Sequence, residues 1–141
     1  IIVIYEKEMF HYLLLHFPIA LFVTGYLFDC LLFLKSNNNL KTFSFWNLGL
    51  GILFGIITII TGFITDNSLY GHMESPFPIW TTHGTHMIVA ILFFIILFTL
   101  RYLKLKGRIY ISSNLLFIMH TAIILFFIHG THIGAKLADR L

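Results

Sequence analysis

Residues 82–103 read THGTHMIVAILFFIILFTLRYL, and this stretch decides the fold. Between His86 and Arg101 it carries no charge, and Thr99 is its one hydroxyl. At 1.5 Å per residue, a helix over this stretch reaches about 30 Å, the hydrocarbon thickness of a bilayer. Three more stretches of the same kind flank it, at 9–34, 43–65 and 110–135. The chain has 141 residues, of which 58% are hydrophobic and 11% charged. A soluble domain has about a quarter of its residues charged. A water-facing surface is out of reach, which sets aside soluble enzymes and nucleic-acid-binding modules. The single cysteine, Cys30, cannot form an intramolecular disulfide and reads as packing material.

A membrane span must satisfy its own backbone hydrogen bonds, and ten-residue alternating segments that would suggest a barrel are missing from the sequence. The expected fold is all-α, a single transmembrane domain over 1–141. The links at 35–41, 66–81 and 104–108 are short, so consecutive helices run antiparallel in an up-down-up-down four-helix bundle. The first span is too long for a signal-peptide core. Both termini and the 66–81 loop then share one side, A, and the other two loops share side B. Lys35, Lys41, Arg101, Lys104, Lys106 and Arg108 fall at side B, against Lys7, Lys136 and Arg140 at side A. The positive-inside rule assigns loops 35–42 and 104–109 to the cytoplasm. The termini and loop 66–81 are assigned to the periplasm, with a bacterial or organellar inner membrane as the location.

The eight histidines are the anomaly in so apolar a chain. His11 and His16 open the first span, His83 and His86 the third, and His129 and His132 close the fourth. His72 lies in the side A loop and is expected to be solvated. Only His120 sits at mid-depth. His16 lies roughly 10 Å inside its apolar stretch, and His86 and His129 about 6 Å inside theirs. Three helices thus offer imidazoles at one level, and ionisable groups inside a membrane usually face the bundle interior. His83-Gly84-Thr85-His86 and His129-Gly130-Thr131-His132 repeat one tetrapeptide, with both rings of each pair on one helical face. The intervening glycine lets a planar ligand or a neighbouring helix approach. Gly51, Gly55, Thr58 and Gly62 form a continuous small face on the second span, whose ordinary reading is helix packing.

Carboxylate-bridged metal pairs need Glu inside the bundle, and here the one intramembrane acid is Asp29, expected to snorkel to Lys35 or Lys41. Structural zinc favours Cys together with His, and the single remote Cys30 does not serve. Copper or zinc on histidine alone stays open. Haem b, in one or two copies, fits imidazoles from two helices best. The first-choice iron ligands are His16 and His86, then His129 and His132. His83, His11 and His120 are further cofactor-binding candidates, His120 as a core residue or the ligand of a deeper second haem. Pro18 removes a helical hydrogen bond, which either bends the helix so as to aim His16 inward or marks the helix start. Pro76, Phe77, Pro78 and Trp80 read as an interfacial lid.

His11-Tyr-Leu-Leu-Leu-His16-Phe17-Pro18-Ile19-Ala20-Leu21, followed by Asp29, resembles the opening signature of the domain of unknown function 2231 family of small bacterial membrane proteins. Thr61-Gly62 with Asp66 resembles its second-span ending. Thr131-His132-Ile133-Gly134-Ala135-Lys136-Leu137 resembles its C-terminal segment, which usually has two glycines where this chain has Gly134-Ala135. The resemblance covers nearly the whole chain and implies a four-span inner-membrane protein with a haem b or electron-transfer role. His11, His16 and Asp29 are its pattern positions, and the repeated His-Gly-Thr-His is not.

The functional expectation is a b-type cytochrome subunit, a non-catalytic electron carrier rather than an enzyme. Its partners would be the lipid bilayer and a cytochrome c, a quinone or a larger complex, and not nucleic acid. One alternative is a non-haem anchor or assembly subunit of an electron-transfer complex. Another is a histidine-based metal or proton pathway, weakened because polar groups thin out below His120 towards side B.

Overall fold

The computed structural model describes residues 2–70 and 75–138, with side chains over 9–65 and 75–137. His72 and the charges at Glu6, Lys7, Glu8, Asp66, Glu74, Asp139 and Arg140 fall outside those described side chains. Four helices follow in order: α1 (Ile2–Leu34), α2 (Asn38–Tyr70), α3 (His83–Leu105) and α4 (Ser113–Ala138). Within them Met9–Leu34, Asn38–Thr65, His83–Leu105 and Ser113–Leu137 are long and apolar enough to cross a membrane. Helix α1 packs on α2 and α4, and α3 packs on α2 and α4. The chain therefore runs round a square of antiparallel helices, the arrangement that short links impose.

Two boundaries differ from the sequence reading, both for polar reasons. Helix α2 starts at Asn38, ahead of its apolar run, because the Asn37 side chain accepts the Asn39 N–H at 2.8 Å. Helix α4 starts at Ser113 rather than Tyr110, because the Ser112 hydroxyl accepts the Leu115 N–H at 3.0 Å. Between α3 and α4, Gly107 takes φ +67°. The Gly107 and Arg108 N–H groups donate to the Lys104 and Leu103 carbonyls, which caps the helix end.

Each helix buries one stripe. On α1 it runs through Pro18, Phe22, Gly25 and Asp29, and on α2 through Ser44, Leu48, Gly51 and Gly55. On α3 it runs through His86, Ala90, Phe94 and Leu97, and on α4 through Leu116, His120, Ile123, Phe127 and Gly130. Phe22 and Phe94 stack at mid-depth with centroids 3.8 Å apart, and Phe127 meets Phe22 edge-on. The small face of α2 is packing space, as expected. A Cβ at Gly51 would stand 2.7 Å from the Phe22 ring, and one at Gly55 would stand 2.5 Å from Ile91. The outward faces carry exposed Leu, Ile and Phe, which suits lipid contact.

Pro18 lies inside α1, so the helix does not begin there. Nor is His16 aimed inward. It is exposed, and its Nδ1 donates to the Tyr12 carbonyl of its own helix at 2.6 Å. The reason is angular: at 100° per residue His16 points about 200° away from Pro18, opposite the buried stripe. His11, seven residues before Pro18, lies on the stripe. Trp80 is exposed at the side A end, where an interfacial tryptophan is expected.

Candidate functional site

Two polar layers sit on the inner faces, separated by the phenylalanine layer. The side A layer draws on all four helices. His11 Nδ1 lies 3.1 Å from Thr61 Oγ1. Thr61 donates its own proton to the Thr58 carbonyl at 2.9 Å, so its oxygen accepts from His11 Nδ1–H. His83 Nδ1 lies 2.9 Å from the Gly130 carbonyl, which can only accept. Partner chemistry thus assigns both imidazoles the Nδ1–H tautomer, with the lone pair on Nε2. His11 and His83 stand within electrostatic reach of one another. The glycines here make room for rings: a Cβ at Gly62 would meet His11 at 3.0 Å, and one at Gly134 would meet His83 at 2.5 Å.

His86 is fully buried and serves helix packing. Its Nε2 donates to the Phe126 carbonyl at 2.8 Å, and its ring stacks on Phe126 with centroids 3.8 Å apart. Its Nδ1 stands 3.3 Å from the Ile79 carbonyl. A Cβ at Gly130 would stand 2.5 Å from this ring. The approach that the glycine of the repeated tetrapeptide permits is therefore taken by a neighbouring helix. His129 and His132 are exposed on α4 and line an open cleft of about 310 Å3 with Trp80, Thr81 and Lys136. The structure brings His11, His83 and His86 to one inner level and leaves His16, His129 and His132 on the outside. Among the described residues, no three His, Cys, Asp or Glu side chains gather as a metal-ion site.

The side B layer takes one residue from each helix: Asp29, Ser44, Arg101 and His120. Arg101 donates to both oxygens of Asp29, through NH1 to Oδ1 at 3.3 Å and through NH2 to Oδ2. Ser44 donates to Asp29 Oδ1 and accepts from Arg101 NH1 at 2.8 Å. His120 Nδ1 lies 2.6 Å from Asp29 Oδ2. Asp29 therefore does not snorkel to Lys35 or Lys41. Arg101 lies four residues before the end of α3 and on its buried stripe, so it reaches the carboxylate from inside the bundle. The thinning of polar groups below His120 is likewise corrected, because Asp29, Ser44 and Arg101 lie directly beneath it. Arg101 is engaged here rather than in a loop, which reduces the Lys and Arg excess at side B from six against three to five against three.

Sequence reasoning missed Ser44 and Arg101 as site residues. The signal was present, since Arg101 continues the spacing of His86, Ala90, Phe94 and Leu97, but it lay at a span edge where a cation reads as a loop charge. Tyr26 and Phe94 meet the His120 ring edge-on, and Phe94 stacks in turn on Phe22.

No curated protein and no solved structure matches the chain. A family model described as "Predicted membrane protein (DUF2231)" matches residues 7–141, which spans all four helices. With its four apolar helices in an antiparallel bundle, the chain belongs to the DUF2231 family of membrane proteins.

Proposed function

We propose that the chain is an electron-carrying subunit of b-type cytochrome character, with haem b held by His11 and His83 in the side A half. One observation carries this reading. Two imidazoles from α1 and α3 stand within electrostatic reach inside the bundle, each with Nδ1–H tied to a helix oxygen. Metal-ligating histidines are commonly held this way, with the other ring nitrogen donating to a carbonyl or similar acceptor. The donor set suits a group held by two imidazoles, and Gly62 on α2 and Gly134 on α4 leave room for the His11 and His83 rings themselves. If bound, haem would be held by His11 and His83 and would supply a one-electron carrier. Thr61 and the Gly130 carbonyl hold the tautomers, and the packed Phe22, Phe94 and Phe127 rings separate this layer from the side B layer. The Lys and Arg bias directs side A to the periplasm of a bacterial inner membrane, or its organellar equivalent, where a cytochrome c, a quinone or a larger complex would exchange electrons.

The alternative is an anchor or assembly subunit in which the histidines only hydrogen-bond. His86, with Nε2 on a backbone carbonyl and its ring in a stack, favours it locally. Purified protein supplied with haemin separates the two. The cytochrome reading expects sharp reduced-minus-oxidised Soret and α bands that H11A and H83A abolish and that H16A and H129A retain. Protein that stays colourless, or bands indifferent to His11 and His83, overturns it.

A further inference from the structure

Among the described residues, His120 Nε2 is the one buried side-chain nitrogen or oxygen without a hydrogen-bond partner. The ring itself has no exposure. Its other nitrogen has two neighbours, Asp29 Oδ2 at 2.6 Å and Arg101 NH2 at 3.0 Å. A guanidinium only donates and a carboxylate only accepts, so Nδ1 cannot satisfy both. If Nδ1 carried the lone pair, it would stand against the carboxylate oxygen at hydrogen-bond distance, which is repulsive. Nδ1 therefore carries the proton and donates it to Asp29. The lone pair falls on Nε2, in an interior where an unpaired polar atom is costly.

We propose that His120 and Asp29 form a membrane-buried proton-binding site, with Nε2 as the atom that gains and loses the proton. The hydrogen bond from Nδ1–H to Asp29 exists in neutral imidazole and in imidazolium alike, so the ring changes state without repacking. The charges that face it come from two helices: Asp29 on α1 and Arg101 on α3. Tyr26 on α1 meets the ring edge-on at 5.2 Å, with its hydroxyl engaged by Thr121, and α2 contributes only the uncharged Ser44. With His120 neutral, Asp29 and Arg101 cancel; with His120 charged, the carboxylate lies between two cations and the site holds one positive charge. Arg101 is the fixed counter-charge, and Ser44 fixes the carboxylate from below. Hydronium or a buffer acid delivers the proton. One N–H bond forms at Nε2, the acid loses its proton, and no electron moves. The polar layer lies in the side B half of the bundle, where the Arg101 side chain keeps 12% exposure while the His120 ring has none. The inference is independent of haem, because it uses no residue of the side A layer.

The test is 15N NMR of histidine-labelled full-length protein in lipid bilayers across pH 4 to 9, with His120 assigned through H120Q. At high pH the expected signal is a neutral ring protonated at Nδ1, converting to imidazolium on acidification while the other transmembrane helix signals stay in place. In D29N, that conversion should require at least ten times the proton concentration. A His120 ring that stays neutral down to pH 4, or that carries its proton on Nε2 at high pH, overturns the proposal. If D29N does not fold, the wild-type titration and tautomer alone decide the matter.

Discussion

His86 occupies the space that a side chain at residue 130 would need: a Cβ on Gly130 would stand 2.5 Å from its ring and 2.8 Å from Met87 Sδ. Gly84, at the same place in the other copy of the tetrapeptide, has nothing within 4 Å of an added Cβ. One motif thus holds two glycines with opposite tolerance. G130A is expected to cost about 1–3 kcal/mol by overpacking against a ring already pinned to the Phe126 carbonyl. G84A should be neutral or stabilise by up to about 1 kcal/mol through helix propensity. Thermal unfolding in detergent, with wild type alongside, checks both. Equal destabilisation by the two variants would contradict the packing.

At mid-depth, Gly51 receives the Phe22 ring, and Phe22 stacks on Phe94 and meets Phe127. F22A empties a space bounded by aromatic faces from two other helices, and is expected to cost about 3–5 kcal/mol. G51A pushes a Cβ to 2.7 Å from the same ring and should cost about 1–3 kcal/mol. The double variant should be less damaging than the sum, because removing the ring clears the clash at Gly51. Additive losses would place the ring elsewhere.

The fold was legible because each span carries its own evidence. Apolar length gives the helices, and short polar links give the antiparallel order. The inner faces were only partly legible. Spacing alone puts His11, Pro18, Phe22, Gly25 and Asp29 in one stripe, and the same count puts His16 outside. Depth along the sequence drew attention to His16, whereas direction round the helix decides which imidazole meets a neighbour. Arg101 was hidden for a different reason. A cation four residues from a helix end looks solvated until the partner carboxylate, far away in sequence, is known to lie at the same level. The tautomers of His11 and His83 were beyond the sequence altogether, since they follow from which oxygen each Nδ1 faces.

The orientation rests on the five other cations at the side B end once Arg101 is removed from the count. In a C30A background, cysteines at Ser36 and Ser75 report the two sides with a membrane-impermeant maleimide. The expected outcome in spheroplasts is labelling of S75C and protection of S36C until the membrane is permeabilised. The reverse pattern would turn the whole reading over and carry the histidine-rich layer to the cytoplasmic face.

Asp29 and Arg101 form a charge pair in the side B layer, with Ser44 and His120 completing its hydrogen bonds. Breaking such a pair from one side leaves the other charge uncompensated, at a cost of about 3–5 kcal/mol. R101M should therefore destabilise strongly, because it strips Asp29 of its cation while leaving the carboxylate buried. D29N is expected to be milder than R101M, since the amide oxygen still accepts from His120 and the Arg101 side chain can turn towards side B. Combining the two removes both charges, so the double variant should recover part of the R101M loss. Denaturation midpoints for the three variants test this ordering. A double variant no better than R101M would mean that the layer is held by the geometry of Arg101 rather than by charge balance.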